Sequence, residues 1–242
     1  MHLVSLVRGV FARMDMTIKR FEFPSDRPIN LMPLLVDSML PQRSDFFVLQ
    51  VGANDGSSDD PIAAIVRGRR LRALMVEPLP QMFDLLTNYY RDQPNVICEN
   101  CAIAHEDGVA TLHRVRDDPS LPEYVRRLAS FRREVILKQR RVVPNIGDYI
   151  EPLQVPTLSL QTLLAKHKVD HVDLLQVDTE GFDYEILKML WATPLRPPII
   201  NFESAHLCRE DKLACAEMLK RDGYRYLNVG QFDTLAVRQP EP

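Results

Sequence analysis

Short apolar runs alternate with stretches of helical period along most of the chain. The run Phe46-Phe47-Val48-Leu49-Gln50-Val51 predicts a strand covered on both faces, because parallel strands between helix layers read as near-continuous apolar segments. Leu71–Val76, Asn95–Ala104, His171–Val177 and Pro197–Phe202 repeat the pattern. Between them the spacing predicts helices over Leu31–Leu40, which Pro41 stops, and from Asp60 to about Gly68. Asp60 is expected to cap that second helix, with Pro61 at its first position. Further helices are predicted over Gln81–Arg91, over Thr157–Lys168, from about Asp183, and over Asp211–Arg221, which Gly223 stops. Val109–Val115, after the turn His105-Glu106-Asp107-Gly108, predicts one extra antiparallel strand in a hairpin with the third strand. Tyr224–Val229 and Phe232–Val237 predict a terminal hairpin through Gly230-Gln231. Strands that alternate with helices predict an α/β fold around an open parallel sheet.

Two segments interrupt this alternation. Residues 1–44 are expected to form an N-terminal helical extension, since Arg8, Arg13, Lys19 and Arg20 alternate with Val10, Phe11, Met14 and Ile18. Residues 45–242 are expected to form one domain with a basic helical insertion at about 117–154. There Tyr124, Leu128, Phe131 and Val135 fall at helical spacing among Arg126, Arg127, Arg132, Arg133, Lys138, Arg140 and Arg141. That charge suits an anionic substrate or a solvated helix face.

The chemistry gathers at strand ends. Val51 runs into Gly52-Ala53-Asn54-Asp55-Gly56, a turn of G-x-x-x-G spacing that lets backbone approach a ligand. It is not the G-x-G-x-x-G of dinucleotide sites, which argues against a nicotinamide oxidoreductase, the enzyme class kept as an alternative. The second strand ends at Glu77, an acid placed to accept hydrogen bonds from both hydroxyls of a ribose. The fourth and fifth strands end at Asp178 and Glu203, with Glu180, Gly181 and His206 close behind. In an open parallel sheet that edge is where ligands bind.

Composition narrows the rest. The chain has 242 residues, 45% of them hydrophobic, which suits one domain with a full core. A net charge of −3 and a pI near 6.1 offer no basic field for nucleic acid. No run approaches the roughly 18 apolar residues that span a bilayer. Arg8 and Arg13 break up the N-terminal apolar residues, which argues against a secretory leader, and the expected location is the cytoplasm. Four cysteines without a regular framework fit a reducing compartment. Cys98 and Cys101 are three apart on a strand, so they point to opposite faces and make a poor metal or disulfide pair.

Val51-Gly52-Ala53-Asn54-Asp55-Gly56, Val76-Glu77-Pro78, Asn100-Cys101-Ala102-Ile103-Ala104, and Leu175-Gln176-Val177-Asp178-Thr179-Glu180-Gly181-Phe182-Asp183 together resemble the FkbM family of S-adenosylmethionine (SAM) dependent methyltransferases. Gln50 departs from that family, whose members often carry an acid there. The resemblance implies the Rossmann-like class I methyltransferase sheet of seven strands, in the order 3-2-1-4-5-7-6 with strand 7 antiparallel and helices on both faces. It implies that Gly52, Asn54, Asp55 and Gly56 line the methionine half of SAM, that Glu77 holds the ribose, and that Ala102 and Ile103 flank the adenine. It implies O-methylation of a hydroxyl on a sugar, glycoconjugate or natural product. A non-catalytic SAM-binding or assembly protein is the other reading. An aliphatic hydroxyl needs a base or a metal to attack. Asp178 is the expected base, with Glu180 and Glu203 supporting and His206 as a second base. Three carboxylates repel unless they share a proton or a divalent cation such as Mg²⁺ or Ca²⁺, for which Asp178 and Glu203 are the expected ligands.

Overall fold

The computed structural model describes residues 30–229 and 232–239. The amphipathic reading of the first residues and the Gly230-Gln231 turn lie outside them. A first helix, α1 (Met32–Met39), precedes strand β1 (Phe47–Val51). Helix α2 (Ala63–Arg69), β2 (Arg72–Val76), α3 (Pro80–Tyr89) and β3 (Val96–Glu99) follow. Helix α2 begins later than the Asp60-Pro61 signal suggests, yet Asp60 does the capping. Its Oδ1 accepts the amides of Ile62 and Ala63 at 2.7 and 2.8 Å.

The chain then leaves the main sheet for a second one. The expected strand Asn95–Ala104 is two strands, β3 and β4 (Ala102–Ile103), which belong to different sheets. Asn100 makes the break, donating from Nδ2 to the Glu77 carbonyl at 2.8 Å. The expected hairpin is corrected as well. Strand β5 (Gly108–Val115) pairs with neither β3 nor β4 but with β6 (Ala129–Ser130) and β7 (Ile150–Leu158). Strand β7 lies between β4 and β5. Its inward Val155 and Thr157 alternate with exposed Pro152, Gln154 and Pro156. Strand β4 covers only Thr157 and Leu158, so both prolines sit where one side of β7 is unpaired and no amide is missed.

The single insertion helix is also corrected. Tyr124 lies in α4 (Glu123–Arg126) and Val135 in α5 (Arg133–Leu137), with β6 between them. The open edge of β5 captures Ala129 and Ser130 and so breaks the helix. Tight turns over Lys138–Arg141 and Ile146–Tyr149 complete the segment.

After β7 come α6 (Leu160–Lys166), β8 (Leu174–Val177), α7 (Asp183–Trp191), β9 (Ile199–Glu203), α8 (Arg209–Arg221), β10 (Tyr224–Val229) and β11 (Asp233–Arg238). The main sheet has seven strands in the order β10-β11-β9-β8-β1-β2-β3, parallel except that β11 runs antiparallel to both neighbours. In strand order this is 3-2-1-4-5-7-6, as expected. Period 2 sends Leu49 and Val51 of β1 to one face, against Leu163, Ile186 and Leu219 of α6, α7 and α8. Val48 goes to the other face, against Val36, Ile65 and Leu86 of α1, α2 and α3. The sheet is thus covered on both sides, and every residue of β1, β8 and β9 is buried. Cys98 and Cys101 fall in the two different core clusters, and the four cysteines are free thiols. Among the described residues no helix is long and apolar enough to cross a membrane.

Candidate active site

A cavity of about 830 Å³ opens at the carboxyl ends of β1, β2, β8 and β9. It is lined by Gly52, Asn54, Glu77, Ala102 and Ile103, and also by Asp178, Glu180, Glu203 and His206. The size suits a nucleoside-containing ligand with room for a second molecule.

The β1 turn explains the first half. The amides of Gly52 and Ala53 donate to the Val76 carbonyl at 2.9 and 3.0 Å, which ties the turn to the end of β2. Gly52 has φ +85°, and a Cβ there would lie 1.8 Å from the Asp178 carbonyl oxygen. Asn54 follows in a left-handed conformation, φ +50°, and its amide donates to Glu77 Oε2 at 2.8 Å. The Leu79 amide donates to Glu77 Oε1, also at 2.8 Å. Burial pushes the Glu77 carboxyl up to about 7, against the pull of those two amides. Each oxygen keeps a lone pair for a ligand hydroxyl.

Asp55 and Gly56 are the expected cofactor residues that do not line the cavity. Asp55 Oδ1 accepts the amides of Ser57 and Ser58 at 2.8 and 2.7 Å, and Arg127 Nη1 lies 3.2 Å from Oδ2. Burial pushes this carboxyl up, but the Ser58 and Ser57 hydrogen bonds and then Arg127 outweigh it and hold it at about 2. The residue shapes its own loop. Gly56 lets the loop sit on α3, since a Cβ there would come within 2.7 Å of Leu86 Cδ1.

The acidic half comes from two strand ends and one turn. Asp183 Oδ1 and Oδ2 accept the amides of Thr179 and Gly181 at 3.3 and 3.1 Å, which folds the 178–183 turn back on itself. Glu180 takes a left-handed φ of +52° in that turn, and its carbonyl accepts from Ser130 Oγ at 2.7 Å. His206 Nε2 lies 3.1 Å from Glu180 Oε2 and 3.4 Å from Glu203 Oε1. Burial, and then the charges of Glu180 and Asp178, push the Glu203 carboxyl up to about 10, so it holds a proton at neutral pH. Asp178 lines the cavity and is exposed to its open space. Desolvation there, followed by Glu180 and Asp183, pushes its carboxyl well above the ordinary range.

The shared proton answers the crowding, and the metal reading does not fit. Among the described residues the three groups close enough to share an ion are Glu180, Glu203 and His206, without Asp178. Lys138 Nζ lies 3.1 Å from His206 Nδ1. An ammonium can only donate, so Nδ1 accepts and the ring proton sits on Nε2, facing the two glutamates. That nitrogen then has no lone pair for a cation. His206 in this tautomer is a hydrogen-bond donor to Glu180.

The sequence reading missed Lys138, which carried no signal beyond its place in a basic run. It also left Gln50 and Thr179 without a role. Gln50 Nε2 donates to Asp60 Oδ2 at 2.8 Å, while Gln50 Oε1, Thr179 Oγ1 and Glu203 Oε2 are buried without a partner. These three residues line the cavity. Unpaired buried polar atoms beside a paired-amide carboxylate and apolar Ala102 and Ile103 fit a nucleoside joined to an amino acid, as in SAM.

A profile of the methyltransferase FkbM domain matches residues 50–226, a span that holds every site residue named above. The chain belongs to the FkbM methyltransferase family. No curated protein matches this FkbM chain. Similar solved structures include an O-methyltransferase from Bacillus cereus in complex with S-adenosylhomocysteine, at 9% identity and TM-score 0.46, over 97% of this chain and 90% of that one. Another is the methyltransferase FkbM from Methylobacillus flagellatus KT, at 15% identity and TM-score 0.46, over 79% of this chain and 43% of that one. The FkbM match carries the coarse function, SAM-dependent methyl transfer.

Proposed function

We propose that this FkbM protein transfers the methyl group of SAM to a hydroxyl oxygen of a small molecule or glycan. One observation carries the reading: Glu77 at the end of β2 and the Asp178–Glu180–Glu203 group at the ends of β8 and β9 line one cavity, with the β1 turn between them. Bound SAM supplies an electrophilic methyl carbon on a sulfonium.

The chain's own residues then have distinct work. The amides of Asn54 and Leu79 fix Glu77 so that its free lone pairs face the ribose hydroxyls. Ala102 and Ile103 give the adenine an apolar seat. Asp178 takes the acceptor's hydroxyl proton. Its raised pKa makes it a stronger base than an ordinary carboxylate once it is ionised. Glu180 keeps that pKa high by like-charge repulsion and holds His206 in place. Glu203, protonated, offers a hydrogen bond rather than a second charge.

Turnover of methyl-labelled SAM against a panel of sugars, glycolipids and phenols tests this. Asp178→Asn should lower transfer by about 10²-fold or more, the usual scale of a lost general base. Its affinity for S-adenosylhomocysteine should stay within about twofold of wild type, because donor binding rests on Glu77 and the β1 turn. Undiminished transfer by that variant removes Asp178 from the chemistry.

A further inference from the structure

The insertion between β5 and β7 supplies a further part of the cavity lining. Tyr124, Leu128, Phe131, Lys138, Arg141 and Val142 all line it. Three cations of this region are matched by carboxylates, and of the others Lys138 and Arg141 line the cavity. Arg126 pairs with Asp117 at 2.7 Å, Arg114 with Glu151 at 2.7 Å, and Arg127 with Asp55 and Asp59 at 3.2 and 3.3 Å. Among the described residues no carboxylate stands within ion-pair distance of Lys138 or Arg141. Lys138 is spent on a neutral imidazole, and an ammonium has three donors.

Exposed apolar side chains lie on the same rim. Tyr124 is 43% exposed, Val142 55% and Phe232 61%, and all three line the cavity. An unmatched guanidinium and ammonium beside bare apolar surface complement a ligand that is apolar along its body and anionic at one point. The acids on the floor complete the polarity. An anion is repelled from Asp178 and Glu180, so it sits at the rim while the hydroxyl goes down to Asp178.

We propose that the acceptor is a soluble amphiphile carrying a phosphate or carboxylate, with its anion on Arg141 and Lys138 and its apolar body along Tyr124, Leu128, Phe131 and Val142. This rests on the methyl-transfer reading for the role of the hydroxyl, but not for the binding itself.

Calorimetric titration of the whole chain, with and without S-adenosylhomocysteine, tests it with phenyl phosphate, inorganic phosphate and benzyl alcohol. Phenyl phosphate should bind at least about tenfold tighter than either half of itself, because a charge-assisted contact and an apolar contact act together. Arg141→Gln should weaken phenyl phosphate by about tenfold and leave S-adenosylhomocysteine affinity unchanged. Arg140→Gln, at an exposed neighbour that does not line the cavity, should change neither. Equal binding of benzyl alcohol and phenyl phosphate, or equal losses in the two arginine variants, overturns the proposal. Sedimentation with phosphatidylglycerol vesicles separates the sources of the anion. No co-sedimentation is expected, and Arg141-dependent co-sedimentation overturns the soluble acceptor in favour of a lipid headgroup. Failure of S-adenosylhomocysteine to bind would strike the methyltransferase reading alone, since the phenyl phosphate titration of the ligand-free chain still reads the anion site.

Discussion

Gly52 joins β1, the Asp178 carbonyl and the cavity at a single Cα. Its φ of +85° and the 1.8 Å that a Cβ would leave to backbone oxygen make any side chain there a clash with an atom that cannot move alone. Gly52→Ala should lower stability by about 3 kcal/mol, from left-handed strain and overpacking together, a drop of roughly 6–12 °C in Tm. Thermal denaturation measures it. Glu203 makes the second residue-scale prediction. Its carboxyl ordinarily titrates near 4.5, and burial in the folded chain pushes it up to about 10. The folded state therefore keeps a proton that the unfolded state gives up. The stability this contributes is full below about 4.5 and drains away as pH rises toward 10. Glu203→Gln carries no proton to lose. Its Tm should match wild type at pH 5 and exceed it increasingly up to pH 9, by about 2–4 °C for each kcal/mol recovered. Parallel curves would place no excess proton on Glu203. The position of each acid was legible as a strand ending. Which acid holds the proton was not, because that depends on Glu180 and Asp178 meeting Glu203 in space. His206 and Lys138 are 68 residues apart, a separation at which no spacing rule applies.

At the scale of elements, the central strands β1, β8 and β9 were legible because each is buried on both faces and so reads as an apolar run. The second sheet was not. Strand β7 keeps its inward alternation, Leu153-x-Val155-x-Thr157, but two prolines stand at its exposed positions and read as breakers. Strands β4 and β6 have two residues each, too short for any period. Helical spacing across Tyr124–Val135 misled because the edge of β5 outbids local propensity for Ala129 and Ser130. Asp173 shows the opposite case, a local acid with a distant structural task. Its Oδ2 accepts the Phe47 amide at 2.9 Å and its Oδ1 lies 3.0 Å from Arg43 Nη1, which fixes where β1 begins beside β8.

Across the whole molecule, a seven-stranded and a four-stranded sheet meet over one cavity. The seven-stranded sheet carries the acids and Glu77 on its carboxyl edge. The four-stranded sheet carries Ala102 and Ile103 on its first strand and Ala129 and Ser130 on its last. From the latter, Ser130 Oγ holds the Glu180 carbonyl at 2.7 Å, and Phe131 packs edge-on against Phe182 with ring centres 5.0 Å apart. One small body thus carries Ala102 and Ile103 at one end and holds the 178–183 turn at the other. Filling either seat restrains that body for the other guest, so donor product and acceptor should bind synergistically, each sharpening the other's affinity by the same factor, about fivefold or more. Ser130→Ala unties one end. In paired titrations with S-adenosylhomocysteine and phenyl phosphate it should bring that factor close to unity, and a factor left intact would mean that the two halves of the cleft fill as strangers.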